Sequence, residues 1–174
     1  MALHIIVDGY NLIRNSAALN VLDRQDLQLG REALVEMLAA YKKVKHHKIT
    51  VVFDGSDVPV YSQSHDRVKG ITVRFSRAGE TADDVIKRMA AHDREKALIV
   101  SSDREIVTAA AACHAATIST AEFEQKLFMA GADGSGSSRE DDDVDIRTFS
   151  TQKKGPRRRA PKNRRRNRKR IGKL

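Results

Sequence analysis

Three aspartates stand at or just beyond the ends of apolar, β-rich runs: Val7-Asp8, Phe53-Asp54 and Val100-Ser101-Ser102-Asp103. If those runs are strands of one parallel sheet, their C-termini line a single edge, and open α/β sheets bind ligands outside that edge where the strand order reverses. Glu80, Asp83 and Asp84 follow another apolar run, at the start of a helical pattern, and reach the same edge. Carboxylates brought together repel one another, so the cluster either retains protons through raised pKa values or binds a hard cation. Oxygen donors without a Cys or His constellation favour Mg²⁺ or Mn²⁺ over zinc, and no loop of regularly spaced acids suggests an EF-hand. A cation in such a place activates water and neutralises charge on a phosphodiester oxygen, which points to phosphoryl chemistry.

Smaller polar groups fall at the same edge. Asn11 lies one turn beyond Asp8, and Ser101 and Ser102 precede Asp103, where they suit orientation of a water or a phosphate oxygen. Gly9 and Gly55 follow two of the acids, and a missing Cβ there permits a positive φ or a close backbone approach. Each residue also has a plainer use. Aspartate favours the turn after a strand, and acids such as Asp83 and Asp84 suit the first turn of a helix without any metal. Glu80 is either a supporting base or a solvated acid.

The elements that must carry these residues are legible from hydrophobic pattern. Leu3–Val7, Ile49–Phe53, Ile71–Phe75, Ala97–Val100 and Ala115–Ile118 are short apolar runs, as expected of strands covered on both faces. Helical spacing of Leu27, Gly30, Leu34, Met37, Leu38, Tyr41 and Val44 predicts one long amphipathic helix ending near the basic stretch 42–48. Val85, Ile86, Met89 and Ala90 predict a second, with Thr81 as N-cap and Asp84 as its capping-box partner. Ile106, Val107 and Ala109–Ala112 predict a third, and Thr120–Met129 a fourth, capped by Ser119 with Glu122. Strands alternating with helices give a three-layer α/β/α sandwich around a mostly parallel five-stranded sheet.

Charge divides the chain of 174 residues unevenly. Residues 153–174 hold 13 Lys+Arg and no acid, whereas residues 1–152 hold 19 Lys+Arg against 23 Asp+Glu, so a body of −4 carries an arm of +13. Between them, Gly131 to Ser138 has linker composition and Arg139 to Asp145 is mostly acidic. Both the linker, 131–152, and the arm are expected to be disordered, since neither can bury a core. That leaves residues 1–130 as one domain.

The lone Cys113 excludes an intramolecular disulfide framework and a Cys-based zinc site, as a reducing compartment would. Leu3–Val7 is too short for a signal-peptide core, and no run approaches a membrane span, so a cytoplasmic protein without membrane contact is expected. His46, His47, His65, His92 and His114 show no ligand spacing. Dinucleotide-binding, P-loop and serine-hydrolase motifs are absent.

Taken in order, Val7-Asp8-Gly9-Tyr10-Asn11-Leu12-Ile13, Val51-Val52-Phe53-Asp54-Gly55, Glu80-Thr81-Ala82-Asp83-Asp84-Val85-Ile86 and Val100-Ser101-Ser102-Asp103 resemble the YacP-like NYN-domain ribonucleases of the PIN-like superfamily, over residues 3–130. The resemblance implies a PIN-like, Rossmann-like sheet and a metal-dependent acidic centre. Its catalytic residues would be Asp8, Asn11, Asp54, Asp83 and Asp103, with Asp8, Asp83, Asp84 and Asp103 on Mg²⁺ or Mn²⁺, and Glu80, Ser101 and Ser102 as supporting groups. It further implies endonucleolytic cleavage of single-stranded RNA, messenger or ribosomal, in association with ribosomes.

The basic arm lies outside that pattern. Its thirteen cations, among them Arg157, Arg158, Arg159, Arg164, Arg165, Arg166, Arg168, Lys169 and Arg170, are expected to neutralise RNA phosphates by counterion release. A targeting signal is the competing use of such a block. Against the enzyme stands a second reading, a non-catalytic RNA- or ribosome-binding protein whose acidic cluster is structural. A third, an aspartyl phosphatase, is weakened because Gly9-Tyr10 follow Asp8 where a second acid two residues on would serve as acid/base.

Overall fold

The computed structural model describes residues 3–57, 65–133 and 162–174. The chain enters on β1 (His4–Asp8) and turns directly into α1 (Gly9–Asn15), α2 (Ala17–Gln25) and the long α3 (Leu27–Lys45). It continues through β2 (Lys48–Phe53), β3 (His65–Val68), β4 (Ile71–Phe75), α4 (Ala82–Asp93), β5 (Ala97–Val100) and α5 (Arg104–Ala112). β6 (Ala116–Ile118), α6 (Thr120–Asp133) and α7 (Lys162–Ile171) complete it.

The strands form one sheet in the order β3-β4-β2-β1-β5-β6. All neighbours are parallel except β3, which pairs antiparallel with β4. The five strands expected from the sequence are therefore joined by a sixth. β3 escaped notice because His65-Asp66-Arg67-Val68 has almost no apolar content; it is held by an edge rather than by burial.

Alternation along β1 divides the core in two. Ile5 and Val7 join Val51, Phe53, Leu98 and Val100 under α1, α3 and α6, while Ile6 joins Val52, Ile99, Val85, Ile86 and Ile106 under α4 and α5. The sandwich is thus three-layered. From β1 the chain builds outward to β2 and β4 on one side, then crosses to β5 and β6 on the other. The order reverses between β1 and β5, which makes the C-terminal ends of those two strands the switch point.

Several expected ends occur as read. Thr81 and Asp84 form a reciprocal capping box on α4; Ser119 and Glu122 exchange hydrogen bonds at the start of α6; and Lys42, Lys43 and Lys45 close α3 before His46 in a left-handed conformation. The glycines differ from expectation, for neither Gly9 nor Gly55 has positive φ. Contact demands them instead. A Cβ on Gly9 would stand 2.3 Å from the Phe53 ring, and one on Gly55 would stand 2.1 Å from the Ser76 carbonyl oxygen. Both glycines let the ends of β1 and β2 close on their neighbours.

The end of the chain also differs. Residues 131–133 extend α6, and 162–174 are ordered against the body, so the disorder expected of 131–152 and 153–174 does not extend over these ends; 134–161 lie outside the described residues. The Asn167 side chain accepts from the Thr117 N–H (2.8 Å) and donates to the Thr117 carbonyl (3.0 Å), which satisfies the open edge of β6 as a further strand would. Arg170 donates to the His114 carbonyl at 3.0 Å, and Ile171 and the buried Leu174 pack on the core. The Tyr41 hydroxyl donates to the Leu174 carbonyl at 3.2 Å.

Candidate active site

Asp8 ends β1 and caps α1. Its Oδ1 accepts from the Asn11 backbone N–H at 3.3 Å, and its Oδ2 accepts from the Ser101 hydroxyl at 3.1 Å. By the alternation of β1 its side chain shares the face of Ile6, the face covered by α4. Only 7% of the residue is exposed. Burial pushes its carboxyl up to about 6, against the two hydrogen bonds that favour the anion and with the charges of Asp83 and Asp103 adding to the rise.

Asp103 is placed by the loop after β5 and caps α5, its Oδ1 accepting from the N–H groups of Glu105 (2.7 Å) and Ile106 (3.4 Å). Ser101 binds both acids, since its hydroxyl accepts from the Asp103 N–H at 3.1 Å while donating to Asp8. Asp83 comes from the first turn of α4. Its pKa is raised by partial burial, then by the nearby charge of Asp103. Asp8, Asp83 and Asp103 therefore share one field across three separate elements, at the switch point of the sheet. Asn11 belongs to the same assembly, its Oδ1 accepting from the Ser102 N–H at 2.9 Å and tying α1 to the β5 loop.

The other sequence candidates stand apart from this trio. Asp54 ends β2, where the Ser56 N–H, 3.0 Å from its Oδ1, holds its carboxyl below the usual range with help from the Ala82 N–H at the start of α4. The Asp84 carboxylate is engaged by Thr81, through its N–H (3.2 Å) and its hydroxyl (2.9 Å). Glu80 pairs with Arg88. The Ser102 hydroxyl bonds Thr120 Oγ1 at 2.8 Å, away from the acids.

Beside Ser101 and Ser102 opens a groove of about 650 Å³, walled by α5, β6, α6 and α7 and lined by Arg104, Ser119, Asn167 and Arg168 among others. Arg168 and Lys169 are exposed, whereas Arg170 is turned to docking through His114 and lies 3.8 Å from Glu95. Arg157, Arg158 and Arg159 lie outside the described residues, and Arg164, Arg165 and Arg166 belong to α7. Sequence reasoning gave α7 no place in the groove, because its wall is made by an asparagine and by tertiary docking.

It also passed over His4. The buried imidazole bonds Asp93 through Nδ1 and Thr50 Oγ1 through Nε2 (2.8 Å), at the opposite edge of the sheet from the acids. That network locks α4 to β1 and β2.

A hard cation suits the donors of the acidic trio, all of them carboxylate oxygens. Among the described residues, the Asp83 carboxylate makes no hydrogen bond and the Asp103 carboxylate uses only Oδ1, so both retain free oxygens. No three His, Cys, Asp or Glu side chains among the described residues stand close enough together to enclose an ion as they are. No described helix is long and apolar enough to cross a membrane.

The family model described as YacP-like NYN domain matches residues 5–166. Over 88 residues the chain is 32% identical to a protein of Bacillus subtilis (strain 168) named "Uncharacterized protein YacP", a match covering 49% of this chain and 50% of that protein. The matched segment thus spans about half the length of that curated relative. The crystal structure of Rae1 (YacP) from Bacillus subtilis is similar with a TM-score of 0.65 and 24% identity, over 76% of this chain and 77% of that one. A mutant form of the same protein gives a TM-score of 0.63 and 22% identity, over 75% and 78%. These likenesses establish the fold.

Proposed function

The chain belongs to the YacP-like NYN domain family, a nuclease-like branch of PIN-like folds, and from that premise we propose that it is a metal-dependent endoribonuclease of single-stranded RNA. The observation that carries this reading is the convergence of Asp8, Asp83 and Asp103, which come from three elements and share one field at the switch point. A fold gains nothing in stability by burying Asp8 within the field of two other acids. Such an arrangement is retained where a cation relieves it.

Asp8, Asp83 and Asp103, which do not enclose an ion as they stand, would have to draw together to hold Mg²⁺ or Mn²⁺. When bound, the cation supplies Lewis acidity at the phosphodiester and lowers the pKa of water. The chain's own groups do the positioning. The Ser101 hydroxyl and the Asn11 N–H fix both oxygens of Asp8, and the Asn11 side chain keeps the Ser102 backbone from shifting. Asp54, anionic beside the start of α4, adds negative potential at the β2 end of the edge. RNA leaves this centre along the groove of Arg104 and Arg168, whose guanidinium groups suit phosphate oxygens. The basic segments beyond residue 153 add affinity without sequence reading, on naked or ribosome-bound RNA in the cytoplasm.

The test incubates the full chain with a long single-stranded RNA and Mg²⁺ or Mn²⁺, in parallel with EDTA and with Asp8→Asn. Internal cleavage that is lost in both controls is expected. Cleavage that survives chelator and substitution refutes the reading, and a chain that binds RNA yet never cuts it, free or on ribosomes, is the non-catalytic binder instead.

A further inference from the structure

A second concentration of charge lies on the other flank of the acids. The connection from β4 to α4 and the first turns of α4 enclose a pocket of about 380 Å³ lined by Arg74, Arg77, Ala78, Gly79, Glu80 and Arg88. Three guanidinium groups thus face one carboxylate. Glu80 is saturated, since it pairs with Arg88 and accepts from the Arg77 backbone N–H at 3.5 Å. Arg88 holds its carboxyl below the usual range. Among the described residues, the side chains of Arg74 and Arg77 have no hydrogen-bond or salt-bridge partner, and although the Arg77 charge also acts on Glu80, three cations share one carboxylate and the pocket keeps a net positive charge.

We propose that Arg74, Arg77 and Arg88 form a phosphate subsite that holds a backbone phosphodiester of single-stranded RNA on the β4 side of the scissile bond. The proposal rests on the nuclease reading for its ligand and on the pocket for its place. Arg74 lies one residue before the end of β4, on the side opposite the buried Val73 and so on the face of α4. Arg77 is in the loop leaving the same sheet edge as Asp8 and Asp103, and Arg88 follows Asp83 on α4. Gly79, at φ 79°, makes the turn that folds this loop back over the pocket.

The sheet order then sets a line: Arg74 and Arg77 at β4, Asp54 at β2, Asp8 at β1, Asp103 at β5, and the Arg104 and Arg168 groove at β6. Four strand spacings cover about 19 Å. A polyanion laid across the edge meets an excess of cations at both ends, where Glu80 and Glu122 are outnumbered by arginines, and carboxylates without cations only in the middle. Residues 1–130 hold 17 Lys+Arg against 17 Asp+Glu, so the domain as a whole does not repel a polyanion, and the strongest repulsion falls at the place where a cation binds. Planar guanidinium groups favour the bidentate geometry of a phosphodiester over a diffuse hold on charge.

The test measures binding apart from cleavage. Full-length Asp8→Asn protein in EDTA is titrated into a labelled single-stranded oligouridine, with anisotropy read between about 50 and 200 mM salt. Adding Arg74→Gln and Arg77→Gln should weaken binding about tenfold and flatten the slope of log K against log salt by roughly 0.7 for each lost contact. Arg77→Gln alone, in an exposed loop, should give half of that flattening and keeps the test valid if the Arg74 change disturbs β4. Inorganic phosphate is titrated as competitor and should displace the RNA only weakly. Unchanged slopes overturn the subsite, as does inorganic phosphate that saturates the pocket and resists displacement by RNA. Failure of the nuclease reading is seen separately, as absence of cation-dependent cleavage by the unsubstituted chain.

Discussion

The Ser101 hydroxyl donates to Asp8 Oδ2 at 3.1 Å while accepting from the backbone of Asp103, so one side chain spans the two strand ends of the switch point. That bond favours the ionised form of Asp8. Ser101→Ala removes it, and the Asp8 carboxyl then rises beyond its present value of about 6. The expected result is about tenfold slower cleavage, in line with loss of a hydrogen bond to a charged group. The acidic limb of the pH–rate profile should also move to higher pH. A rate loss with an unmoved limb would assign Ser101 to the fold alone.

Asp8 itself opposes stability. Its folded pKa is raised from 3.8 to about 6, so the folded state binds more protons than the unfolded one between those values, and stability falls as pH rises through that window. Two units correspond to about 3 kcal/mol at neutral pH. In EDTA, Asp8→Asn, which keeps the cap on α1, should therefore melt several degrees above the parent at neutral pH, with the advantage gone below about pH 4. Mg²⁺ or Mn²⁺ should raise the melting temperature of the parent and leave the variant unmoved.

Asn167 supports a sheet edge from outside. Asn167→Ala leaves the Thr117 N–H and carbonyl without partners, at a cost of about 1–3 kcal/mol. Hydrogen exchange at the Thr117 amide should quicken by one to two orders of magnitude. Deleting residues 162–174 should lower the melting temperature further and expose β6 to strand pairing, seen as concentration-dependent association in sedimentation. From sequence alone, removal of 153–174 is expected to leave the fold intact; docked Ile171 and Leu174 reverse that expectation.

His4 gives the stability a second pH dependence. Burial holds its imidazole below the usual 6.5, outweighing the bond to Asp93 that raises it. The folded state therefore binds fewer protons, so this contribution is complete above about 6.5 and is lost as pH falls through the folded value. Chemical denaturation of the parent across that range should show the loss, and His4→Gln should flatten it. Equal slopes in both proteins would place the titration elsewhere.

The sequence reading reached five of the six strands because each of those is an apolar run ending at a turn, and it reached Asp8, Asp54 and Asp103 because each stands at or just beyond the end of such a run, whereas the polar β3 gave no such signal. It missed α1 and α2, which hold seven and nine residues and are too short for a period to register. Leu19 is the one buried residue of α2. α7 was illegible for a different reason: a helix of Lys, Arg and Asn ending in a single apolar residue, Ile171, has no apolar stripe, and its order comes from strand-edge groups and core docking that local pattern does not contain. Within the site, position along the chain gave the acids but not their partition. Asp84 reads like Asp83 until Thr81 is seen to engage it, and Glu80 reads as a site acid until Arg88 neutralises it.

The packing of Tyr10 offers a way to watch the site at work. Its ring meets Phe53 edge-on at 5.1 Å, its oxygen accepts from Arg31 at 2.9 Å, and it lies two residues from Asp8. The chain holds 3 tyrosines and 0 tryptophans, so no indole drains or masks the phenol emission. Tyr10 is thus an intrinsic optical probe beside the acids, and Tyr41, bonded to Leu174, is one for the docked end of the chain. Ion binding and undocking become separable signals in an unlabelled protein, with Tyr10→Phe and Tyr41→Phe assigning each.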